Sequence, residues 1–180
     1  MAEVVLDTNV LIDLLDLSCF KALGNLREFR FWVVENVRHE VSREDQKVAL
    51  AQALDSGLIR ETRVGEEEAC AMEELSTYAR LKGVLGDGEA ASLAVAYHRG
   101  WFFVSYEKGR LRREAEAMLG ERFWSTPRLL AAMIRAGATT LDRLKSAIAS
   151  GPPGSTHAKT QHLSRVVAEA EALIASEGIR

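Results

Sequence analysis

Two rhythms of apolar residues alternate along the chain. Short apolar runs of strand length lie at residues 3–6, 30–34 and 101–105, with an alternating stretch at 58–64 and a brief run at 122–124. Between them, apolar residues recur every three or four positions, the period of an amphipathic helix. Val10, Leu11, Leu14 and Leu15 predict a helix after the first strand, with Thr8 and Asn9 as good N-cap types before it and Asp7 as a plain helix cap on the simplest reading. Val37, Val41, Val48, Ala51 and Leu54 predict one helix over residues 37–56, closed by Gly57. Further helices are predicted over 66–85 with a break, over 90–98, 108–119 and 141–149, and from Thr126 to Gly137 with Pro127 in the first turn. Strands alternating with helices imply an α/β fold with parallel pairing and right-handed crossovers.

Composition adds little to this picture. The 180 residues are 47% hydrophobic and 27% charged, with 3 Pro, which is ordinary globular composition. One stretch, 151–155 (Gly-Pro-Pro-Gly-Ser), reads as a linker. It divides the chain into a main domain over 1–150 and a linker with C-terminal helix over 151–180. Periodic Leu163, Val166, Val167, Ala170, Leu173 and Ile174 predict that helix, which either packs on a partner or folds back. The net charge of −3 means that a polyanion would have to meet a local basic patch. Cys19 and Cys70 lack metal-ligand spacing and are expected to be reduced. No stretch is apolar enough to span a bilayer, and the first residues lack the basic and apolar regions of a signal peptide. A cytoplasmic location is therefore expected.

The candidate chemistry is acidic. Asp7 ends the first strand, Glu40 follows the second, Glu89 opens the helix before the fourth and Glu107 follows the fourth. In a parallel sheet the carboxyl ends of strands and the amino ends of the following helices share one edge, where such folds place their sites. Carboxylates gathered there repel one another, and a hard divalent cation such as Mg²⁺ or Mn²⁺ relieves that repulsion through oxygen ligands. Zinc is disfavoured, because the four histidines show no paired spacing with Cys or Asp. Asp87 either caps the helix that follows or joins the acids, and Thr8 and Ser105 are small hydroxyls beside them. Lys108, Arg110 and Arg113 follow the fourth acid, where a phosphate backbone would pass, although a solvated basic helix reads equally well.

These motifs resemble those of the PIN-domain family of metal-dependent nucleases, which includes the toxins of many bacterial toxin–antitoxin pairs. Val5-Leu6-Asp7-Thr8-Asn9 is similar to its first motif, Val37-Arg38-His39-Glu40 to its second, Gly88-Glu89-Ala90-Ala91 to its third, and Phe103-Val104-Ser105-Tyr106-Glu107 to its fourth. The order and separations fit over residues 3 to about 135. The resemblance implies a three-layer sandwich, with a central mostly parallel sheet of four to five strands flanked by helices. It implies that Asp7, Glu40, Glu89 and Glu107 hold Mg²⁺ or Mn²⁺, with Asn9 in support. It also implies RNA as substrate, a small antitoxin protein as partner, and a homodimer. Two features depart from or blur the pattern: Glu107 stands where the family usually has Asp, and Val41-Ser42-Arg43-Glu44 offers a second match to the second motif. A non-catalytic nucleic-acid-binding module with a degraded metal site is thus the alternative to a ribonuclease. A phosphotransfer α/β domain ranks behind both, because no Gly-rich phosphate loop is present.

Overall fold

The computed structural model describes residues 1–152, 154 and 156–177; Pro153 and Ser155 of the predicted linker lie outside the described residues. Five strands form one sheet, β1 (Ala2–Leu6), β2 (Phe29–Val34), β3 (Ile59–Thr62), β4 (Phe102–Val104) and β5 (Phe123–Trp124), in the order β3-β2-β1-β4-β5. Every pairing is parallel. β1 is the central strand, and Val4, Val5 and Leu6 are fully buried with Phe103 and Val104 beside them. That burial on both faces explains the unbroken apolar runs. The chain steps outward from β1 to β2 and β3, then returns across the sheet to β4. The order therefore reverses between β1 and β4, and such a switch point opens a crevice beyond the carboxyl ends of the two strands.

Helices cover both faces. α1 (Thr8–Asp16) packs on α2 (Glu35–Glu40) and α3 (Glu44–Asp55), whereas α5 (Asp87–Arg99) packs on α4 (Ala71–Lys82) and α6 (Arg110–Leu119). α5 is buried nearly all round, with Ala90, Ala91, Leu93, Ala94, Val95 and Ala96 enclosed. Its alanines let it lie close to β1, β2 and β4, as expected of a helix apolar on every side. Gly100, at φ 70°, ends it in the left-handed conformation that glycine adopts without strain.

Several predicted bounds differ. The single helix expected over 37–56 is two helices, broken where Val41 turns to an extended conformation and enters the core. The apolar period carries across the break because both helices face the same core. Residues 66–70 are not helical; Glu66 instead folds back on Thr62 and the Arg63 amide. Asp7 itself caps α1, the plainer of the two roles its place at the strand end allows. Ser125 caps α7 (Thr126–Arg135).

After α8 (Leu141–Ser150), α9 (His157–Glu177) lies against α7 and α8, burying Leu163, Val166, Val167 and Ala170. Polar contacts fasten it to α1: the buried Asp13 carboxylate meets Lys159 and His162, each at 2.8 Å. Among the described residues, no helix is long and apolar enough to cross a membrane.

Candidate active site

The site begins with β1. The Asp7 N–H still belongs to the sheet ladder, donating to the Val104 carbonyl at 3.1 Å. Its side chain turns up into the first turn of α1, where one carboxylate oxygen accepts the Thr8 N–H at 2.8 Å. The other accepts the Ser105 hydroxyl at 2.8 Å. Ser105 follows β4, so the hydroxyl and the carboxylate meet across the switch point. The Glu107 N–H donates to the same hydroxyl at 3.2 Å, which ties the first and fourth acids together through Ser105. The Glu107 carboxylate accepts the Asn9 amide at 2.5 Å.

Glu40 reaches this edge from the last turn of α2. One carboxylate oxygen accepts the Gly88 N–H at 3.0 Å, and the other accepts the Thr8 hydroxyl. A Cβ at position 88 would lie 2.7 Å from the Glu40 carboxylate, so a larger residue there would push Glu40 out of its present position. Glu89 opens α5, and its carboxylate accepts the Gly86 N–H at 3.0 Å. The competing Glu44 is 84% exposed and pairs with Lys47 at the start of α3, turned away from the site.

The acids sense one another electrostatically. Burial, reinforced by the charges of Glu89 and Glu107, pushes the Asp7 carboxyl up to about 7 against the opposing Ser105 and Thr8 hydrogen bonds. Burial also raises Glu89, with Glu107 and Glu40 adding to it while the Gly86 N–H opposes. Among the described residues, no Lys, Arg or His is ion-paired with Asp7, Glu40, Glu89 or Glu107. Uncompensated negative charge in a partly dry pocket is unfavourable. The donors are all oxygens, a set that suits Mg²⁺ or Mn²⁺ and not zinc. In kind, then, the residues fit a hard divalent cation. In placement they are held by protein hydroxyls and amides, and among the described residues no three acidic, histidine or cysteine side chains are gathered as ligands of one ion.

Asp87 does not join the acids. Its carboxylate accepts from Asn36 and Tyr78, each at 2.6 Å, and pairs with Lys82 at 2.5 Å. Lys82, Tyr78 and Asn36 together hold its carboxyl down at about 2. It therefore fastens the first turn of α5 to α2 and α4. Asn36, Tyr78, Lys82 and the Gly88 amide are not among the candidates that the sequence predicts. Gly88 carried a signal, a glycine in the turn of helix between two acids; the other three touch the site only through Asp87 and carried none. Of the basic residues, Lys108 and Arg112 line a groove that opens beside Glu107, whereas Arg110 and Arg113 are exposed on α6 and do not line it.

An all-parallel sheet with helices on both faces, and acids at its carboxyl edge, defines an α/β protein with its candidate site at the switch point of the sheet. A family model described as DUF3368, PIN domain, matches residues 3–172, and the chain belongs to the PIN-domain family. PIN domains are nuclease folds and in general depend on divalent metal, so membership places the chain among nuclease-type hydrolases. Among curated proteins and among solved structures, none matches the chain.

Proposed function

We propose that the protein is a Mg²⁺- or Mn²⁺-dependent ribonuclease that hydrolyses RNA phosphodiester bonds. The supporting observation is the set of carboxylates Asp7, Glu40, Glu89 and Glu107 at the carboxyl edge of the sheet, with Asp7 raised to about 7 by burial and by the charges of Glu89 and Glu107. Asp7, Glu40, Glu89 and Glu107 would hold the ion. When bound, a divalent cation supplies the positive charge that stabilises an attacking oxygen and a charged phosphate. The chain's own hydroxyls and amides set the carboxylates beforehand. Ser105 fixes Asp7 and the Glu107 backbone, Thr8 and Gly88 fix Glu40, and Asn9 fixes Glu107. Of the basic residues after the fourth acid, Lys108 lines the groove beside Glu107 and supplies charge for the RNA backbone there, whereas Arg110 and Arg113, exposed on α6, add only to the longer-range attraction. A small antitoxin protein covering this edge, a homodimeric state and a cytoplasmic location go with this reading as the family's usual company.

The second reading, a nucleic-acid-binding module without catalysis, is favoured by the carboxylates being committed to protein donors rather than gathered as ligands. Manganese separates the two. A ribonuclease cleaves single-stranded RNA only with Mn²⁺ present, and Asp7→Asn lowers that rate by more than the roughly 100-fold typical of losing an outer-shell partner of a metal site. RNA binding with no cleavage at any Mn²⁺ concentration establishes the module instead. Full activity in Asp7→Asn refutes the assignment of Asp7.

A further inference from the structure

A groove of about 750 Å³ opens directly from the reactive edge. Ser105 and Glu107 stand at one end; Arg112 of α6 and Arg128 of α7 line it further along, and α9 forms the far wall with Glu169 and Leu173. The wall is fixed to the site, because the Tyr106 hydroxyl, between Ser105 and Glu107 in the chain, donates to Glu169 at 2.9 Å.

The charge within the groove is uneven. Each of its acids is already engaged: Glu107 takes the Asn9 amide, Glu116 takes Arg112 at 2.7 Å, and Glu169 takes Tyr106. Two of its cations, Lys108 and Arg128, have no carboxylate partner among the described residues. Lys108 Nζ lies 5.9 Å from the Tyr106 ring, and the Arg128 guanidinium lies 4.7 Å over the Trp124 ring. Both are exposed. Cations resting on aromatic faces keep their hydrogen-bond donors available. Tyr106 and Phe123 give the floor apolar surface, which a base in single-stranded nucleic acid can meet and a paired, stacked base cannot.

We infer that the groove between α6 and α9 is the channel along which single-stranded RNA runs from the reactive edge, with Lys108 and Arg128 as its phosphate contacts and α9 as its retaining wall. The inference rests on the ribonuclease reading for its substrate but is tested without cleavage. The test is fluorescence anisotropy of a fluorescein-labelled polyuridine with the full chain in EDTA, across a range of salt. Lys108→Ala and Arg128→Ala are each expected to weaken binding about 3- to 10-fold and to lower the magnitude of the salt slope by about 0.7, the value for one phosphate contact on a single strand. Ala172→Glu, which adds an acid to the α9 wall and deletes no cation, weakens binding as well. Arg27→Ala, an exposed arginine remote from the groove, leaves binding unchanged, and an RNA duplex binds less tightly than the single strand. The channel is overturned if both cation variants bind like the native chain, or if the native chain binds no RNA. Cleavage by the native chain in Mn²⁺, measured separately, decides the ribonuclease reading whichever way the channel falls.

Discussion

At the scale of single residues, the site depends on how Asp7 is solvated. Its carboxyl is buried and pushed from an ordinary 3.8 to about 7, chiefly by burial. The folded, metal-free chain therefore keeps a proton on Asp7 over a range where the unfolded chain has lost it. Relative to an ordinary carboxyl, the folded state is unpenalised below pH 3.8, and loses stability as pH rises from there through about 7. Above that, a shift of about three units corresponds to roughly 4 kcal/mol. Asp7→Asn removes the charge while keeping the oxygen that caps α1. Thermal unfolding in EDTA should show this variant more stable than the native chain at about pH 8 by a few kcal/mol, with the gain vanishing near pH 4. A variant no more stable at pH 8 would mean that the pocket solvates the carboxylate well. Asp7 was legible in the sequence because a strand ended on it; its Ser105 partner was legible only as a small hydroxyl near another acid. What was not legible is that every candidate carboxylate already has a protein donor, because hydrogen-bond partners 98 residues apart in the chain leave no local trace.

At the scale of elements, the position of α5 decides whether Gly88 and Glu89 face Glu40. Its two ends are pinned by different means. At its start, Asp87 links it to α2 and α4. At its end, the enclosed Arg99 holds the fully buried Glu74 of α4 through two contacts of 2.6 and 3.0 Å, and reaches Thr62 at the end of β3. Burial pushes the Glu74 carboxyl up, but Arg99, the Gly65 N–H and the Cys70 thiol outweigh it, so the group ends below its ordinary 4.5. Its contribution to stability is thus complete above pH 4.5 and is lost as pH falls below that. Glu74→Met leaves Arg99 enclosed with only the half-exposed Glu67, 3.5 Å away, as a carboxylate partner, a change that costs at most the roughly 3–5 kcal/mol of a fully unpaired buried charge. Urea unfolding at neutral pH should show that loss, and it should shrink in acid, where the native pair is itself weakened. Equal stability of variant and native chain at neutral pH would show that water replaces the pair. The same comparison explains what the sequence could reveal of the fold. Strand runs and α5 were clear because burial on all sides leaves a dense apolar signature. The division of α2 from α3 was hidden, because Val41 satisfies the helical period while bending out of the helix. The run of Glu before α4 suits the positive end of a helix dipole and so favours a helix from 66, whereas Glu66 and Glu67 serve Thr62 and Arg99.

For the whole molecule, the balance of charge is the deciding quantity. A net charge of −3 is small, yet the cations are spread over the surface while the unmatched acids sit together at one edge of the sheet. Charge gathered in that way is relieved by a counter-ion, and α9, fastened to Asp13 and to Tyr106, keeps the neighbouring wall in place. A cation that binds the folded chain and not the unfolded one stabilises by mass action, about 2.7 kcal/mol at one hundred times its dissociation constant. Calorimetric unfolding with increasing Mn²⁺ should therefore raise the Tm of the native chain progressively. It should leave Asp7→Asn nearly unmoved, because that variant has lost both the ligand and the repulsion the ion would relieve. Glu44→Gln, a change at the rival acid outside the site, should respond like the native chain. The contrast matters more than the shift alone, since a loosely held surface ion would raise all three together. If the native chain and Asp7→Asn respond equally, the acids at the switch point do not form a metal centre, and the second reading, a binding module on a nuclease fold, is the one that stands.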